Sequence, residues 1–97
     1  MARPPFAFAF ESITVTDTAV GLTLSNVLAK PHPKKVEIFV ETAQVRFRKD
    51  GTDPTATVGE VLNPFERMTL ESLNDMQNLK TIRTGATSGT LRVHYLR

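Results

Sequence analysis

With 97 residues, 40% of them hydrophobic and 23% charged, the chain has enough apolar material for one modest core and too much to stay disordered. It contains no cysteine, which excludes disulfides, zinc-thiolate sites, iron-sulfur clusters and thiol nucleophiles and suits a reducing cytosol. Twelve Lys and Arg against ten Asp and Glu leave a net charge of +2, with the basic residues spread along the chain, so neither a nucleic-acid partner nor any cofactor is expected. No apolar run approaches the roughly 20 residues of a bilayer span, and the short stretch 4–10 is a poor signal peptide, so no membrane partner is expected either.

The chain opens on an arm, residues 1–10, in which Phe6, Phe8 and Phe10 recur at period two with only alanine between them, behind Pro4-Pro5. The prolines favour an extended backbone and remove two donors, so the arm is expected to project, with its three rings on one face. Those rings need cover. They either complete the domain's own core or add to a neighbouring subunit, and the sequence leaves both readings open.

Residues 11–97 read as a single β domain. Ile13 and Val15 share one face of a first strand, residues 17–21 supply a turn, and Leu22 and Leu24 start a second strand. Pro31 and Pro33 cannot donate to a central ladder, so residues 26–35 read as a loop. From Val36 to Lys49 the apolar parity slips from Val36, Ile38 and Val40 to Ala43, Val45 and Phe47, which predicts a bulge or bend near Glu41 and Thr42. Asp50-Gly51-Thr52-Asp53-Pro54 is dense turn chemistry, residues 55–58 suggest a short strand, and Asn63-Pro64 marks another turn. Met68 and Leu70 alternate in the next strand. The one helix is predicted at residues 73–79, with Ser72 or Asn74 as N-cap. Strands at 81–84 and 90–95 flank residues 85–89, read as a hairpin loop, and Leu91, Val93 and Tyr95 face inward. Seven or eight short strands of this kind predict an all-β, antiparallel β-sandwich or flattened barrel, jelly-roll-like, with one short helix.

Little in the chain suggests catalysis. The only histidines are His32, between two prolines, and His94, in the last strand, and nothing places a nucleophile beside either. Asp50, Asp53 and the Gly51 carbonyl lack a full set of calcium ligands and read more simply as a turn. Residues 85–89 contain no lysine and lead into no helix, unlike a phosphate-binding loop. Arg46, Arg48 and Lys49, with Arg83, Arg92 and Arg97, would form a basic stripe if their strands were neighbours; the plainer reading is a solvated sheet face. The candidate partner-binding residues are therefore Phe6, Phe8, Phe10, Arg46, Arg48 and Arg92.

The stretch 40–48 with Asp50-Gly51, Pro54-Thr55, Gly59 and Leu62, and the close from Ile82-Arg83-Thr84-Gly85-Ala86-Thr87-Ser88-Gly89 to Tyr95, resembles small virion proteins of tailed bacteriophages. The likeness runs from about Ile13 onward and leaves the Phe-rich arm out. At Asn63-Pro64-Phe65-Glu66 the chain departs from the Gly-Asp turn of such sequences. The resemblance implies a compact β-sandwich without enzymatic activity, made in the bacterial cytoplasm and found in the virion as a homo-oligomer. Its role would be that of a capsid decoration or cement protein bound to the major capsid protein or other virion proteins. A tail, baseplate or head-to-tail component, or a carbohydrate-binding module, is the alternative.

Overall fold

The computed structural model describes residues 6–97. In chain order it contains β1 (Ala7–Val15), α1 (Leu24–Val27), β2 (Lys35–Glu41), β3 (Val45–Arg48), β4 (Glu60–Leu62), β5 (Arg67–Leu70), α2 (Leu73–Asn78), β6 (Lys80–Arg83) and β7 (Gly89–Leu96). The strands form two antiparallel sheets, one of four strands in the order β1-β7-β2-β5 and one of three in the order β4-β3-β6. A single bridge between Val20 and Thr81 adds a vestigial eighth strand beside β6.

This order is that of a ribbon folded on itself. β3 pairs with β4, β2 with β5, the Val20 segment with β6, and β1 with β7, so strands pair first with last and inward to the middle. Rolling such a ribbon into two layers gives a jelly roll. The all-β sandwich expected from the sequence is the fold observed.

Alternation builds the core. Along β2, Val36, Ile38 and Val40 are buried while Lys35, Glu37, Phe39 and Glu41 are half-exposed. Val45 and Phe47 of β3 and Leu91, Val93 and Tyr95 of β7 join them in one cluster with Val15, Leu70, Met76 and Leu79. The parity slip after Val40 marks the place where the chain leaves one sheet for the other: Thr42 turns at φ 79°, and the Ala43 N–H donates to the Glu41 carbonyl at 3.0 Å. The second crossing, from β6 to β7, passes the first at Gly89. A Cβ there would stand 2.8 Å from Val45 Cγ1 and 2.9 Å from the Ala43 carbonyl oxygen, so only glycine fits.

Several expectations are corrected. Residues 85–89 are no hairpin loop, because β6 and β7 lie in different sheets. Leu22 and Leu24 start no strand; Leu22 and Val27 point inward at an odd spacing that a strand cannot put on one face, and the chain winds into α1 instead. Two short helices are therefore present where one was expected. Residues 55–58 form a turn in which Thr55 Oγ1 accepts from the Thr57 and Val58 N–H groups at 3.3 and 2.9 Å. The one helix predicted from the sequence is α2, capped by Ser72, whose Oγ accepts from the Asp75 N–H at 3.5 Å.

The arm is also different from expectation. Residues 1–5 lie outside the described residues, but residues 7–10 belong to β1 and pair with β7, and Phe6 exchanges two backbone hydrogen bonds of 3.0 Å with Arg97. The sheet thus has no boundary at residue 10. A bulge between Ala7 and Ala9 inserts one extra residue, so the phenylalanines do not share a face.

Candidate binding face

The four-stranded sheet turns its outer face away from the core, and strand register fixes what that face presents. One row runs Phe10, His94, Glu37, Thr69 across β1, β7, β2 and β5. The next runs Ser12, Arg92, Phe39, Arg67. Phe10, 54% exposed, lies with its ring centroid 4.8 Å from that of His94. The Arg67 guanidinium sits 4.6 Å over the Phe39 ring, and the tilted Phe65 ring lies with its centroid 6.3 Å from that of Phe39. Arg92, between the two aromatic groups, donates from Nε to Glu41 Oε1 at 2.7 Å and from Nη1 to Ser12 Oγ at 2.7 Å. It ties three strands together.

Phe65 is the unusual member. It is 76% exposed and holds φ at 69°, a left-handed conformation that is rare for a bulky side chain and costs roughly 1–2 kcal/mol. Its surroundings impose that geometry: the Phe65 N–H donates to the Val40 carbonyl at 2.6 Å, the Val40 N–H to the Glu66 carbonyl at 3.1 Å, and the Asn63 N–H to Glu66 Oε1 at 2.7 Å. Gln44 Nε2 braces the same turn through Asn63 Oδ1 at 2.8 Å. The turn spends strain to hold an aromatic ring in solvent beside Phe39. Strain of this kind concentrates where surfaces bind.

Of the six residues singled out from sequence, Phe10 and Arg92 meet on this face. Phe8 instead packs half-buried toward the core, 6.3 Å from Tyr95 and 4.0 Å from the Arg97 guanidinium. Phe6 is exposed at the strand's start. Arg46 and Arg48 lie on the outer face of the other sheet, so no stripe joins them to Arg92. Both are occupied. Arg46 donates from Nε to the Ala56 carbonyl at 3.0 Å and from Nη1 to the Gly59 carbonyl at 2.7 Å, fastening the β3–β4 connection. Arg48 pairs with Asp50 at 2.5 and 3.1 Å, and that hydrogen bond holds the Asp50 carboxyl below the usual carboxylate range. An open cleft of about 600 Å³ lies beside this pair, lined by Phe47, Val58 and Glu60 among others.

Phe39, Phe65 and Arg67 were missed in the sequence. Phe39 carried a signal, since it has the parity of Glu37 and Glu41 and not of Val36, Ile38 and Val40. Phe65 carried a fainter one, an aromatic residue inside a turn.

A second polar cluster lies under β1. The Glu11 carboxylate accepts from the Tyr95 hydroxyl, from Thr23 Oγ1 at 2.6 Å, from the Thr23 N–H at 3.3 Å and from Asn26 Nδ2 at 3.5 Å. Burial, reinforced by the adjacent Glu11 carboxylate, pushes the Tyr95 phenol far above its ordinary value. The cluster locks α1 and β7 to β1 and leaves no buried side-chain polar atom without a partner among the described residues.

His94 packs against Phe10 with the two rings tilted by 51°, and His32 sits exposed in the loop before β2. Among the described residues no group of three His, Asp or Glu side chains is placed to hold a metal ion, and no helix is long and apolar enough to cross a membrane. No protein-family model matches the chain, and no curated protein and no solved structure matches it significantly.

Proposed function

We propose that the chain is a non-enzymatic virion structural protein of a tailed phage, a capsid decoration or cement protein that seats the outer face of its four-stranded sheet on the major capsid protein. The observation that carries the reading is the aromatic outer face, with exposed Phe10 and Phe65 and half-exposed Phe39 arrayed beside Arg67 and Arg92 and Phe65 held out at a strained φ. Aromatic and arginine side chains are the ones that dominate binding energy at protein interfaces. Each ring newly buried contributes about 1.5–3 kcal/mol before ordering costs are subtracted. The resemblance of residues 40–62 and 82–95 to small phage virion proteins supplies the setting. The jelly roll agrees with it, since viral capsid domains use that fold, but agreement at the level of fold is analogy.

The test is decoration of purified capsids that lack the protein. Added wild-type chain should bind in proportion to the major capsid protein, and Phe39→Ala and Phe65→Gly should each weaken binding by about tenfold or more while remaining folded. A few copies per particle would point to a tail, baseplate or head-to-tail position. Undiminished decoration by both variants would remove the aromatic face from the account, and binding to glycans in place of capsids would favour the carbohydrate-binding reading.

A further inference from the structure

The four sheet edges are not alike. β5 is four residues long and carries Arg67, β4 is three residues long, and β6 is closed by the Val20 bridge and by the Arg83 N–H bonded to the Thr16 carbonyl at 2.9 Å. β1 is nine residues long and contains no Lys, Arg or Pro. Apart from its ladder to β7, its backbone makes no hydrogen bond to any described residue. Natural sheets blunt a long edge with charge, proline, brevity or a bulge. Here the only bulge lies at Ala7/Ala9, and the run from Ala9 to Val15 keeps one unbroken register with β7. Its single charge, Glu11, is turned under the sheet and taken up by Tyr95, Thr23 and Asn26.

We infer that this edge pairs with the same edge of a second copy of the chain, joining two four-stranded sheets into one of eight strands. An identical strand is the occupant the edge fits, because an antiparallel meeting of two copies sets no like charges opposite each other. Parity fixes the register. The regular run has seven residues, so its midpoint is a residue, Ser12, and a two-fold axis there keeps inward side chains facing inward. Phe10 of each copy then lies across from Thr14 of the other, on the outer face, and the two aromatic faces become one continuous surface. The pairing follows from the edge alone and does not depend on what that surface binds.

Sedimentation equilibrium of the full chain tests it. Wild type should show a monomer–dimer equilibrium. Ser12→Lys and Ser12→Glu, which place like charges across the axis, should each weaken dimerisation by on the order of tenfold. An equimolar mixture of the two should recover a mixed dimer. Thermal unfolding shows whether each variant is folded, and if either is not, amide exchange of wild type decides: protection at residues 9–15 should rise with protein concentration. A wild-type chain that stays monomeric at its solubility limit, folded variants that dimerise as wild type does, or exchange at residues 9–15 indifferent to concentration would each overturn the inference.

Discussion

The two sheets differ in where most of their side-chain anchoring stands, although Arg92 also braces the outer face of the four-stranded one. In the three-stranded sheet the anchoring groups stand on the outer face, where Arg46 grips the Ala56 and Gly59 carbonyls and Arg48 holds Asp50. In the four-stranded sheet the principal anchor is underneath, where Glu11 gathers Tyr95, Thr23 and Asn26. The difference decides which face is free. On the outer face of the three-stranded sheet Arg46 and Arg48 are turned to holding a loop and a turn, whereas the four-stranded sheet, anchored mainly from below, leaves Phe10 and Phe65 exposed and Phe39 half-exposed on its outer face.

The largest effect should come from the buried anchor. Glu11→Ala leaves the Tyr95 hydroxyl buried without its acceptor and frees α1 from β1, and should cost about 3 kcal/mol in denaturant unfolding. The same anchor predicts a pH response. The folded-state pKa of Tyr95 is raised above the unfolded value of 10.0, so its contribution is complete below pH 10.0 and is lost as the pH climbs beyond it, when only the unfolded chain ionises. Tyr95 is the only tyrosine, so the near-ultraviolet phenolate band should appear together with loss of β-sheet circular dichroism and not before it. A phenolate band in a still-folded chain would show that the hydroxyl is not held by Glu11.

Smaller effects separate the two arginines of β3, which share a strand and a face. Arg46→Ala removes two bonds to loop carbonyls and should destabilise by about 1–2 kcal/mol, discounted for partial exposure. Arg48→Ala breaks only a solvent-exposed pair and should leave the melting temperature unchanged. Its signature is local: the Asp50 carboxyl, no longer held down by its arginine, should titrate higher than in wild type, with the Thr52 N–H still favouring its charged form, as read from its carbonyl-carbon chemical shift. Equal destabilisation by the two substitutions would mean that they do not play distinct parts.

Strand alternation was legible wherever a segment had one buried face, as in β2, β3 and β7, and the slip after Val40 marked the jump between sheets. The helix after Ser72 was legible because its cap is local in sequence. What depended on a distant partner was not. The bulge that splits Phe8 from Phe10 exists only relative to β7. α1 forms where Glu11, a dozen residues upstream, collects the Thr23 and Asn26 side chains, and it overrides the alternation of Leu22 and Leu24. Residues 85–89 looked like a hairpin because adjacent strands usually pair, and only the ribbon order shows that these two do not.

The ribbon order also sets the sequence of events during synthesis. Its closed end, β3 with β4, joins neighbours along the chain and can form as soon as they leave the ribosome, and each further pair closes a longer loop. The pair with the greatest separation is the one that matters most, because β7 lies between β1 and β2 and, among the described residues, is the only strand bonded to β1. β1 is made first and must wait, unpaired, for the last strand. Rich in long-range pairings, the domain should fold slowly for its size. A stop codon or a stalled ribosome ahead of Gly89 would leave β1 as a nascent segment bearing Phe8, Phe10, Ile13 and Val15 with no mate of its own, a ready target for chaperones or for the β1 of another chain.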